Sequence, residues 1–263
     1  MTRTPNRQIR YALRLSLPAV CHSTSSDRLE ETSSIGTVSS PDVIPMTLAD
    51  FRFPDDAPLA GQEGVVMGYA VRHPHGLLIV DTGIGFGHEW VDRVYRPRAR
   101  RIPEVLAEAG LDAGRVVAIV NSHLHFDHCG QNSAFPSVPI YVQEAEWEIA
   151  HSTDYTVLEW IDSPACRYER VTGDHELIPG VRLVSTPGHT IGHQSVVIES
   201  VDGPTVIAGQ AVYTSGEWSG AAGAWVGTTS AWDPATYAQS VDRLRQLNPV
   251  RVYFGHDREP WLG

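Results

Sequence analysis

The chain has 263 residues, long enough to bury a substantial core, and its 42% hydrophobic content with 23 glycines and 18 prolines fits a loop-rich globular protein. Its 20 basic residues, all arginine, face 31 acids for a net charge of -11. That balance argues against nucleic-acid binding, which rests on clustered positive charge.

The first residues carry Arg3, Arg7 and Arg10 ahead of an apolar run at 11–21. Arg14 interrupts that run, and Val20 before Cys21 is not the small residue of a secretion cleavage site, so the segment reads as a first strand. Three cysteines (Cys21, Cys129, Cys166) make no paired framework and suit a reducing compartment, and no stretch reaches the roughly 18 apolar residues of a membrane helix. A cytoplasmic protein without membrane attachment is expected. Residues 22–62, rich in Ser, Thr, Asp and Pro, read as an irregular segment packed on a single domain spanning 1–263.

From Val65 the pattern sharpens. Runs at 65–71 and 77–81 flank Arg72-His73-Pro74-His75-Gly76 and predict a hairpin, with His73 and His75 as exposed turn residues. The arginines from Arg93 to Arg101 read as a solvated loop and helix start. Residues 102–109 have helical period and stop at Gly110. Val116–Val120 is a strand that runs into Asn121-Ser122-His123. A strand at 140–142 precedes a helix beginning near Glu144, and further strands follow at Val181–Ser185, 195–199 and 205–208. Asp233-Pro234 opens a helix with Tyr237, Val241 and Leu244 on one face. A strand at 250–254 then delivers Gly255-His256-Asp257. Strands alternating with helices predict an α/β fold with helices covering sheets.

The chemistry concentrates in His123-Leu124-His125-Phe126-Asp127-His128, which puts four potential ligands in six residues just after a strand. Neutral imidazole and carboxylate are the donors that zinc and similar divalent cations take. A tight loop can aim alternate side chains at one metal and the intervening ones at a neighbour. His189, in Thr186-Pro187-Gly188-His189, and His256, in Gly255-His256, also follow strands directly.

This combination resembles the metallo-β-lactamase fold family, from about Val65 to Pro260. The resemblance implies a four-layer αββα sandwich in which His123, His125 and His189 hold one metal and Asp127, His128 and His256 hold a second. It also implies that Asp81, in Val80-Asp81-Thr82-Gly83, orients a ligand from behind. The segments 121–132, 187–195 and 253–257 are similar to those of N-acyl homoserine lactone lactonases. By that likeness the chain is a metal-dependent hydrolase with one or two zinc ions, opening a small lactone or related ester. Tyr213 would donate a hydrogen bond to the developing oxyanion, and Asp127 would pass a proton to the leaving alkoxide. A tyrosine at that position also reads as ordinary packing.

One residue departs from the pattern. The family's metal-bridging aspartate falls on Gln210, in Ile207-Ala208-Gly209-Gln210-Ala211, and an amide brings no charge between two cations. A weak or different second metal follows, or a catalytically impaired binding homologue. The ligand set is also compatible with a β-lactamase or a glyoxalase-like thioesterase. Trp218, Trp225 and Trp232 recur every seven residues and read either as loop packing or as a wall for an acyl chain. The sequence leaves oligomeric state open.

Overall fold

The computed structural model describes residues 42–263 apart from 56, 58, 153–154, 222–226 and 228–229. They belong to the compact unit Gly36–Gly263. The strand expected at 11–21 lies outside the described residues, as do Cys21 and Trp225.

The strands form two sheets. The first runs β4 (Arg98–Ala99), β1 (Asp42–Arg52), β2 (Glu63–His73), β3 (Gly76–Val80), β5 (Val116–Val120), β6 (Pro139–Gln143) and β7 (Arg167–Val171) in spatial order. The second runs β13 (Asp257–Leu262), β12 (Arg251–Phe254), β11 (Thr205–Ile207), β10 (Gln194–Ile198), β9 (Val181–Ser185) and β8 (His175–Ile178). The described helices include α1 (Glu89–Tyr95), α2 (Ile102–Glu108), α3 (Phe126–Cys129), α4 (Glu144–Ala150), α5 (Leu158–Ile161), α6 (Ser215–Trp218) and α7 (Pro234–Gln246).

Period-2 alternation lets each sheet feed two cores. Val196 and Ile198 of β10 and Tyr253 of β12 point inward, against Tyr69, Val80, Ala118 and Val120 of the first sheet. Val197, Val252 and Phe254 point outward beneath Tyr237, Val241 and Leu244 of α7. On the opposite flank, Ile102, Val105 and Leu106 of α2 cover Leu48, Ala70, Ile79 and Ile119. The layers are therefore α, β, β and α, and each large side chain so buried contributes roughly 1.5–3 kcal/mol. Helix α7 starts as its sequence specifies, with Asp233 accepting the Ala235 N–H at 3.0 Å and Pro234 at the first helical position.

Two expectations need correction. Residues 22–62 are not irregular throughout, because β1 is an 11-residue strand. Pro45 disguises it, yet proline is tolerated on an edge, and β4 covers only Ala49 and Asp50 of β1. The arginine run joins two helices, as a loop and helix start should: Arg93 lies in the last turn of α1, Arg96 caps it with φ 46°, Arg98 lies in β4, and Arg101 is the N-cap of α2. Trp218 does not line a pocket. It is buried in the α7 core, 5.8 Å between ring centres from Trp261.

Strand direction positions the site. β3 and β5 are parallel. β9 and β11 both pair antiparallel with β10, and β11 pairs parallel with β12. The C-terminal ends of β9, β11 and β12 thus share one end of the second sheet. Bonds from Met67 N–H to Gly255 O (2.9 Å) and from Gln194 N–H to Ser122 O (2.8 Å) tie it to the first sheet there. No helix among the described residues is long and apolar enough to cross a membrane.

Candidate metal centre

β5 ends in Asn121-Ser122-His123, and the extended backbone of His125 (φ −64°, ψ 149°) caps α3. That two-residue step turns both imidazoles the same way, with His123 Nε2 3.0 Å from His125 Nδ1. Gly188, at φ 136°, lets the chain turn after β9 close against Tyr237, and His189 Nε2 arrives 3.3 Å from His125 Nδ1. Two nitrogens bound to one tetrahedral zinc lie about 3.3 Å apart, so this spacing suits a shared cation.

Asp127, His128 and His256 converge as a second group, each triad having its ligand atoms within 4.8 Å of one another. Asp127 Oδ2 is 3.5 Å from His128 Nε2 and 3.7 Å from His256 Nε2. Behind the rings, His128 Nδ1 donates to Asp81 at 2.8 Å and His256 Nδ1 donates to Val65 O at 2.7 Å. With Nδ1 carrying the proton, each Nε2 presents its lone pair to the centre. Asp81 also accepts from Ser122 N–H and Oγ, both at 2.7 Å, and adopts φ 61° to do so.

Among the described residues, the buried side-chain atoms without any hydrogen-bond partner are His128 Nε2, His189 Nδ1, Gln210 Oε1 and His256 Nε2. All belong to this cluster. His189 turns Nε2, not its orphaned Nδ1, toward His125, so the unmatched acceptors are His128 Nε2, His256 Nε2 and Gln210 Oε1. Buried polar groups are otherwise satisfied in proteins, and this concentration marks a place built for a cation. The donor set fits the two-site arrangement expected from the sequence.

The electrostatics agree. Burial lowers His125 and His256 to about 4 and His193 to about 3, and depresses His123 and His189 well below the ordinary imidazole value. These rings are neutral near pH 7, as ligation requires. His128 differs: burial would depress it, but Asp127 and Asp81 outweigh burial and raise it to about 10, so its Nε2 must give up a proton before that nitrogen can serve as a ligand. Burial opposes ionisation of Asp127, yet His128, His256 and His125 hold its carboxyl well below the usual range. Burial pushes the Tyr213 hydroxyl up, so it stays protonated.

Sequence reasoning missed Glu146. This fully buried residue of α4 accepts from Leu124 N–H (2.8 Å), Thr190 Oγ (2.7 Å), Gly192 N–H (3.1 Å) and the Tyr155 hydroxyl. It thereby ties the His123–His125 loop to the loop after His189. Gly192 has no room for a Cβ, which would lie 2.2 Å from the Glu146 nitrogen. His193 was also missed as a support: its Nδ1 lies 2.9 Å from Thr186 Oγ, and its Nε2 accepts the Gln210 N–H at 3.0 Å.

Tyr213 stacks on His256, with ring centres 4.5 Å apart and planes at 23°. Both line a cleft of about 510 Å³ together with Val65, Phe53, Arg98 and Arg258. His73 and His75 stack on each other at the β2–β3 turn, outside both triads.

Residues 61–256 match the metallo-beta-lactamase superfamily, three-quarters of the chain, over the segment that carries both triads. The chain belongs to that superfamily. Its relatives include an N-acyl homoserine lactonase of a Bacillus species, 35% identical over 213 residues that cover 74% of this chain and 82% of the relative. The N-acyl homoserine lactonase AiiA of Bacillus thuringiensis subsp. kurstaki is 33% identical over 208 residues, covering 73% and 80%. Among solved structures, an N-acyl homoserine lactone hydrolase with N-hexanoyl-L-homoserine bound at its catalytic metal centre aligns with a TM-score of 0.69 and 29% identity. That alignment covers 84% of this chain and 94% of the other. For this metallo-β-lactamase family member, the four-layer sandwich and the metal-capable His/Asp cluster expected from the sequence both hold.

Proposed function

We propose that the chain is a metal-dependent hydrolase that opens the ring of a small lactone of the N-acyl homoserine type. The observation that carries this reading is the pair of buried ligand triads, with orphaned imidazole nitrogens, beside a cleft that Tyr213 and His256 share. Lactonase relatives at 33–35% identity support the substrate class.

His123, His125 and His189 would hold one cation, and Asp127, His128 and His256 the other. Zinc suits these nitrogen and carboxylate donors, and three neutral imidazoles make the first site the tighter one. A divalent cation bound there supplies Lewis acidity toward a carbonyl oxygen and acidifies water.

The chain's own residues do the rest. Tyr213, kept protonated by burial and fixed by its stack on His256, donates a hydrogen bond to the oxygen that gains charge as the ester carbonyl is attacked. Asp127, ionised at rest, can take up the proton that the attacking water releases and pass it to the leaving alkoxide of the opened ring. The cleft, of ordinary ligand-site volume, admits a small substrate. The free thiols of Cys129 and Cys166 suit a reducing compartment and support a cytoplasmic placement.

The test is to offer zinc-loaded protein a short-chain N-acyl homoserine lactone, a β-lactam and a thioester side by side. Lactone opening should dominate. Zinc uptake without lactone opening would overturn the substrate assignment, and turnover of either competitor alone would replace it.

A further inference from the structure

We propose that the side-chain oxygen of Gln210 is a neutral donor to the second of two cations, so that the centre holds its cations with clearly unequal strength. This rests on the metal-dependent reading above. It concerns a buried residue whose backbone is held by neighbours of both triads.

The placement comes from the backbone on either side. Gly209 follows β11 with φ 59°, and a Cβ on it would lie 2.8 Å from Ser122 Cβ and 2.9 Å from His193 Nε2. Its carbonyl accepts the N–H of Gly255 at 2.9 Å, next to His256. A Cβ on Gly255 would in turn lie 3.2 Å from His128 Cε1. The N–H of Gln210 donates to His193 Nε2, and that ring is anchored through Thr186 to the strand end that delivers His189. The chain at 209–210 is thus wedged between the neighbours of His123 and His189 on one side and those of His128 and His256 on the other.

The side chain is only 5% exposed, and its Oε1 is one of the four orphaned atoms. A buried amide oxygen without a donor needs some other electropositive partner, and the remaining orphans are imidazole nitrogens of the two triads. A cation held by those triads is the partner that fits.

The consequence follows from charge. The two triads together contain a single carboxylate, Asp127. Gln210 contributes a dipole where a carboxylate would contribute a full charge, and a dipole offsets the repulsion between two adjacent dications far less. The first cation enters a neutral imidazole site unopposed. The second enters against the field of the first, screened only by Asp127 and an amide.

The experiment is a calorimetric zinc titration of metal-free protein, wild type beside Gln210→Glu and Gln210→Asp, with circular dichroism to check folding. Wild type should show two constants well apart. A carboxylate at position 210 should tighten the weaker constant at least tenfold, equivalent to about 1.4 kcal/mol, and move the tighter one less than threefold. If both carboxylate variants misfold, Gln210→Ala decides: loss of the oxygen should weaken the second constant. Two similar constants in wild type would overturn the proposal, as would weaker constants that agree within error across the folded variants. Failure of wild type to take up any zinc would instead overturn the metal-dependent reading itself.

Discussion

In the second triad each imidazole is held from behind, His128 by Asp81 and His256 by the Val65 carbonyl, so ring orientation and tautomer are set at the side chain. In the first triad His189 has no partner at Nδ1, and His123 has only the Ser122 hydroxyl at 3.1 Å. What aligns those rings is the backbone, because Glu146 bonds Leu124, between His123 and His125, and also Thr190 and Gly192, beyond His189. One half of the centre is therefore tuned through proton placement and the other through loop spacing. Substitutions behind the two halves should fail in different ways.

The largest effect is expected at the first triad itself. His123→Ala should strip its cation and abolish lactone opening, and metal analysis showing unchanged content would remove the basis for pairing His123 with His125 and His189.

Next comes Tyr213→Phe. If the hydroxyl stabilises the oxyanion, turnover should fall by about 10²–10³ with both zinc constants retained. A loss under threefold would reduce Tyr213 to a packing partner of His256.

Asp81→Asn should act on the second triad through tautomer. Asn can keep the left-handed backbone, and its oxygen can still accept from Ser122 N–H. Its NH2 group, however, would face His128 Nδ1 and drive the ring proton to Nε2, where the cation belongs. Loss of such a supporting partner typically costs about 10–100-fold in metal affinity. A zinc titration in which the first constant fell further than the second would reverse the distinction drawn between the halves.

The smallest effect should come from Glu146→Gln. One amide NH2 would then confront hydrogen-bond donors in a buried site, costing about 1–3 kcal/mol of stability in chemical denaturation. The first zinc constant should weaken by a few-fold and the second less. Equal weakening of both would mean that Glu146 supports the whole domain and not the first triad in particular.

How far the sequence reveals this centre depends on where the information lies. His123, His125, Asp127 and His128 are legible because one short loop carries them, and His189 and His256 because each follows a strand directly. Asp81 is legible only through family likeness. Glu146 is invisible: it sits among Glu144 and Glu148 at a helix start, where acids ordinarily face water, and only the tertiary contacts of Leu124, Thr190 and Gly192 distinguish it. His193 is hidden for a similar reason, because supporting a neighbour's N–H leaves no pattern along the chain. The same holds for the fold. β5 and β9 emerge at their observed limits because their valines and isoleucines or leucines dominate short runs, whereas β1 is disguised by Pro45, Thr47 and Asp50 and by the bulge between Thr47 and Ala49.

The left-handed backbone of Asp81 has a consequence for how the centre assembles. An L-residue in that region costs about 1–2 kcal/mol by itself. The cost is recovered only when the carboxylate meets Ser122 and His128 together, 41 and 47 residues further along the chain. Until the turn after β5 has docked, the left-handed backbone at Asp81 lacks the side-chain bonds that offset its cost. The end of β3 and the turn after β5 are therefore coupled through one side chain, and His128 reaches its native orientation together with the turn at Asp81.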